Sequence, residues 1–210
     1  MAFGGAVKLT GESEYRKALK NITQDLKQVS AEMKLTAAGF DKGDKSVSAL
    51  SAKSKELSTQ LELQGKKVAT LTNQYNAMTV EYGKNAQKNA ELVKTYNDEK
   101  AKLEEIGRTL GTSSAEYKKQ QAVVGELAQE VRKSEANQEA NREALAKTRL
   151  ELTKAETDYK KTEVAIKQVN TELDKSEKEA KETGNAYNTL KGTISDQEKK
   201  LEELKNHIPM

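Results

Sequence analysis

The sequence predicts an all-α protein whose long helices associate in a coiled coil. Three observations carry that prediction. First, of the 210 residues a third are charged and 4% are aromatic, with one proline and no tryptophan or cysteine. Charged residues are seldom buried unpaired, so this chain lacks the apolar bulk of an ordinary globular core. Second, 36 Lys and Arg nearly balance 33 Asp and Glu. Disordered chains combine low hydrophobicity with a high net charge, and this chain carries only +3. Good helix formers (Ala, Glu, Lys, Leu, Gln) dominate instead. Third, apolar residues recur every seven positions along the chain.

With Tyr75 and Tyr82 set at heptad position a, that position also holds Leu19, Leu26, Met33, Phe40, Val47, Leu61, Val68, Tyr96, Leu103, Leu110, Tyr117, Val124, Val131, Leu145, Leu152, Tyr159, Ile166, Leu173, Ala180, Tyr187, Ile194, Leu201 and Ile208. Only Ser54, Asn89 and Gln138 interrupt it. Position d is weaker but includes Tyr15, Ile22, Val29, Leu50, Leu57, Leu71, Leu92, Ile106, Leu127, Val169, Leu190 and Leu204. All seven tyrosines fall on this seam. A hydrophobic period of 3.5 sustained this far is the signature of a coiled coil.

The elements follow from the punctuation. Residues 1–12 are expected to form a flexible segment, and 13–38 the first helix. GFDKGDKS, around 39–46, places two glycines in one turn and predicts a break. A long helix is expected over 47–106. GRTLGTSSAEY then predicts a turn over 107–114, with Gly107 or Gly111 at the helix C-terminus and Ser113 with Glu116 as a capping box. A second long helix is expected over 115–182. The weak point TGNAYNTLKG sets off a C-terminal helix and tail over 183–210, which Pro209 ends.

Flanking charges distinguish two arrangements. In a parallel in-register pair, each g residue faces the partner's e residue five positions on. Glu130 would meet Glu135, Glu151 would meet Glu156, Asp158 would meet Glu163 and Glu172 would meet Glu177. Four like-charge contacts disfavour that arrangement. Folding back near residue 109 instead brings Lys102 to Glu116, Lys88 to Glu130 and Lys67 to Glu151. An antiparallel helical hairpin is therefore favoured, with an extended self-associating rod as the alternative. In the hairpin register Tyr75 faces Asn141, Tyr82 faces Ser134 and Tyr96 faces Gln120. Asn85, Asn89, Gln138 and Asn141 are the notable polar residues of the seam, and such residues restrict register at a cost in stability.

No reaction chemistry assembles. His207 is a lone histidine near the end. GRTLGTS is one residue short of a phosphate-binding loop and lacks its lysine. FDKGDKS lacks the alternating oxygen ligands of a calcium loop, and Asn21-Ile22-Thr23 is a sequon inside a predicted helix. The carboxylates recur with lysines at helical spacing and read as a solvated face. Catalytic residues, cofactors, metal ligands and a small-molecule substrate are therefore not expected. No basic stripe with exposed aromatics suggests specific nucleic-acid binding. The start, MAFGGAVKLTG, lacks the features of a signal peptide, and no apolar run approaches a membrane span.

Three stretches go further: KLTGESEYRKALKNITQDLKQVSAEMK (8–34), FDKGDKSVSALSAKSKELSTQLE (40–62) and LGTSSAEYKKQQAVVGELAQEVRKSEANQEA (110–140). Together they resemble the N-terminal region of phage tail tape measure proteins, from phages and prophages of Gram-positive bacteria with long non-contractile tails. The likeness runs from residue 8 to about 180. It implies a structural role: copies form a helical scaffold around which tail-tube subunits polymerise, and its length sets tail length. It also implies self-association, tail-tube protein and tail assembly chaperones as partners, and a place in the virion tail after assembly in the bacterial cytoplasm. Members of that family are much longer, so the resemblance implies an N-terminal fragment or a truncated form. A coiled-coil scaffold unrelated to tails and a fragment of a cell-wall hydrolase are the alternatives.

Overall fold

A computed structural model describes residues 12–206, with side chains described over 13–200. The flexible segment expected over 1–12 lies almost entirely outside the described residues, as do His207, Ile208 and Pro209. Three helices account for the fold: α1 (Glu12–Ala38), α2 (Val47–Leu110) and α3 (Ala115–Asn206). The described residues contain no strand, so the all-α class holds.

The connection from α1 to α2 falls where the glycines predict it. Gly43 takes a left-handed φ of +88°, open to glycine without a steric cost. Asp44 Oδ1 accepts from the Ser46 amide, and Ser46 Oγ accepts from the Ala49 amide at 3.3 Å. Ser46 thus caps α2. The α2–α3 turn is shorter than the sequence suggests. Gly107 stays helical, and α2 runs on to Leu110 before Gly111 reverses the chain at φ +83°. Ser114, not Ser113, caps α3, because its Oγ accepts the Tyr117 amide at 3.2 Å. The break expected at 183 is absent: α3 runs through Gly184 and Gly192 to Asn206. Flanking helix formers outweigh two glycines, each costing ~1 kcal/mol in a helix interior.

The chain divides into two compact units. The first takes in Gln64–Tyr159 with the chain up to Gln24, and the second takes in Asp25–Leu63 with the chain from Lys160 onward. In the first, Leu71 and Leu152 are almost fully buried with Ala155, and Leu19 of α1 and Val68 of α2 pack against them. In the second, Leu50, Leu57 and Val169 form the buried cluster, flanked by Met33, Ala165, Ile166 and Leu173. Each unit therefore builds its core where all three helices contribute a side chain.

Leu71 is the most deeply buried residue, at 1% exposure. Removing a buried leucine side chain costs ~2–5 kcal/mol in transfer and cavity terms. Leu71→Ala is therefore expected to lower unfolding free energy by that amount in urea titrations followed by circular dichroism. Gly111→Ala forces a Cβ into the left-handed region and is expected to cost about 1–2 kcal/mol in the same measurement.

Candidate functional site

The described residues offer a heptad seam. No group of three or more His, Asp or Glu among them is placed to hold a metal ion. The site is therefore the a/d seam itself. Its described apolar and tyrosine residues are buried or half-buried from Tyr15 to Leu173, apart from Leu110 at the turn, and exposed from Ala180 onward; Tyr187, at 66% exposure, is thereby corrected from its placement in the buried seam. Leu190 and Ile194, the next two apolar seam positions, are likewise 58% and 47% exposed. Among the described residues no helix covers this part of α3, since every residue over 177–200 is exposed.

In the first unit, α2 and α3 touch in antiparallel order. Gly107 lies under Tyr117, Glu99 bonds Gln120, Met78 accepts a hydrogen bond from Thr148, Tyr75 lies beneath Arg149, Leu71 packs on Leu152, and Gly65 lies under Tyr159. These contacts set the register one heptad away from the one that the charges favoured. Tyr75 faces Thr148 rather than Asn141, and Tyr82 lines the same groove as Asn141 rather than facing Ser134. The cause is the turn: moving it from about 109 to 111–114 displaces every partner by twice that distance along α3. A whole-heptad displacement keeps a opposite d, so apolar pairing does not oppose it. Lys102, expected opposite Glu116, instead bonds Glu99 one turn back on its own helix at 2.6 Å.

Large a residues rest on small partners. A Cβ at Gly107 would come within 3.1 Å of the Tyr117 ring, and one at Gly65 within 3.4 Å of the Tyr159 ring. The two glycines make room for aromatic rings. The Arg149 guanidinium sits 5.5 Å from the Tyr75 ring centroid, a cation–π contact. The buried polar residues Gln64, Thr148 and Thr162 all occupy d, where the sequence pattern is weakest. Apolarity therefore marks the seam, but depth is greatest beneath the large a residues.

The same register brings the four polar seam residues together. Asn85 falls opposite Gln138, Asn89 opposite Ser134, and Asn141 opposite Tyr82. Asn85 Nδ2, Asn89 Oδ1, Gln138 Oε1 and Asn141 Nδ2 are buried without a hydrogen-bond partner, as is Gln74 Oε1 nearby. Beside them, Arg16, Gln74, Met78, Tyr82, Asn141 and Lys147 border a half-open groove of about 470 Å³.

The chain matches no known family, curated protein or solved structure with which it was compared.

One polar bridge joins α2 and α3 nearer the turn. Gln120 Nε2 donates to the Glu99 carboxylate at 2.6 Å and to its backbone carbonyl at 3.1 Å. The hydrogen bond from Lys102, then that from Gln120, hold the Glu99 carboxyl below its ordinary range, against partial desolvation. The resulting stabilisation is complete above the ordinary carboxylate range and is lost as pH falls below it. Carbon-detected NMR titration is expected to find Glu99 titrating below the ordinary carboxylate range. Gln120→Ala should move it upward, towards the ordinary value.

Proposed function

We propose that the chain is a structural helical scaffold: a phage tail tape measure protein, in fragment or truncated form, that associates with further copies of itself. The observation that carries this reading is the seam of α3. It continues in one heptad frame beyond the part that α2 covers in the second unit and ends in an uncovered face. Over 183–195, TGNAYNTLKGTIS, a chain one-third charged shows a single charge. Thr183, Thr189 and Thr193 in that stretch donate their hydroxyls to their own helix carbonyls, leaving methyl groups outward.

A second copy suits this face. Ile at a and Leu at d are the preferences of a parallel two-stranded coil, and Ile194 and Leu190 occupy those positions. The like-charge contacts that oppose parallel pairing end with Glu172 and Glu177. Beyond them Glu179 would face Gly184, Ala186 would face Lys191, and Thr193 would face Glu198. The wording of LTGESEY and FDKGDKS supports the narrower, tail-specific reading, with tail-tube protein and assembly chaperones as partners. No helix among the described residues is long and apolar enough to cross a membrane.

Two measurements test the two levels. Sedimentation of the full chain is expected to show association that Tyr187→Ser with Ile194→Ser weakens at least tenfold. Unchanged association would overturn self-pairing through this face. In the phage or prophage carrying the gene, deleting two heptads from α3 should shorten tails by ~21 Å at 1.5 Å per residue, read by electron microscopy. Tails of unchanged length would leave a coiled-coil scaffold unrelated to tails as the reading.

A further inference from the structure

The middle of the α2–α3 pair in the first unit is unlike its two ends. Towards Leu71, the seam is closed by Leu71, Leu152 and Ala155. Towards the turn, it is closed by buried Leu92 and by the hydrogen bonds of Gln120 to Glu99. Between Leu71 and Leu92 no residue of α2 is buried, and none of α3 is buried from 115 to 147. That interval holds the unpartnered Asn85, Asn89, Gln138 and Asn141 atoms. It also holds Gly83, whose missing Cβ would meet nothing within 4 Å. No close approach explains that glycine, and glycine weakens a helix interior.

We propose that this polar interval is a built-in opening point: α2 and α3 part there, between two anchored ends, while the rest of the first unit stays closed. Three causes act in the same place. Buried amides without partners regain their hydrogen bonds by opening to water. Little apolar surface is exposed in return, so the restoring force is small. Gly83 lowers the cost of distorting α2. Local openings are drawn from regions with few buried apolar contacts, and here the weak seam and the weak helix coincide. Opening presents Tyr82, Asn85 and Asn89 of α2, and Ser134, Gln138 and Asn141 of α3, to solvent on facing helices.

Hydrogen exchange of the full chain, read by mass spectrometry, tests the proposal. Amides over 80–91 and 134–144 are expected to exchange at least tenfold faster than those over 64–72 and 148–156. Asn85→Leu with Gln138→Leu removes an orphaned donor and an orphaned acceptor from one layer and should slow the interval at least tenfold, with little change in the flanks. Gly83→Ala, which leaves the seam untouched, should slow it in the same direction and keeps the test open if the double variant misfolds. Equal protection in interval and flanks would overturn the proposal, since it would mean that trapped water satisfies the amides in a closed seam. Faster exchange that neither substitution slows would overturn it too, by separating the mobility from the polar layers and Gly83.

Discussion

The α2–α3 pairing depends on one packing constraint: an aromatic ring at a needs a small or yielding residue opposite. Two helices alone cannot enclose a tyrosine, because half of each ring faces outward whatever lies across the seam. A ring can settle onto the seam only where the opposite residue leaves space. Gly65 does so for Tyr159 and Gly107 for Tyr117. Thr148 lies low at 7% exposure where Tyr75 crosses it. Large residues facing small ones is the interdigitation that dense packing requires.

The constraint also explains why α1 matters more than its 27 residues suggest. Leu71 and Leu152 reach 1% and 2% exposure in the cluster that Leu19 of α1 completes. Where two helices meet without a third, Leu103, Tyr117, Val124 and Leu127 remain half-buried. Full burial of a leucine contributes ~1.5–3 kcal/mol, and half-burial correspondingly less. Stability is therefore concentrated in a few layers of a long seam. In the second unit, Met33 plays for Leu50, Leu57 and Val169 the part that Leu19 plays in the first.

The helices and the seam were legible in the sequence, because period and punctuation are local signals. GFDKGDKS and Gly111 mark real chain reversals, and the apolar seam positions from Tyr15 to Leu173 are all at least half-buried except Leu110 at the turn. Register was not legible. Any displacement by seven residues preserves a against d, so apolar periodicity is silent between registers. The charges that seemed to decide contribute only ~0.2–1 kcal/mol each at the surface. One of them, Lys102, also has a nearer partner in Glu99. Gly107 misled for a related reason: glycine signals a helix end and a close approach equally well, and only the Tyr117 ring distinguishes them. Tyr187 belongs to the heptad pattern, but a pattern does not say whether a helix lies opposite.

Something other than apolarity must therefore choose among registers: the turn at Gly111 does so, and the polar layers agree with it. One heptad back, Asn85 would face Val131, Asn89 would face Leu127, Gln138 would face Met78 and Asn141 would face Tyr75. Four separate layers would then each set an amide largely against apolar atoms, and Gly65 and Gly107 would no longer lie beneath rings. The observed register gathers the same side chains into three adjacent layers where polar groups face one another. Gathering them confines the cost of burying amides to one interval and leaves the neighbouring layers dry. The interval that the polar residues weaken thus also disfavours the neighbouring register. The penalty on the neighbouring register and the proposed local weakness come from the same four side chains.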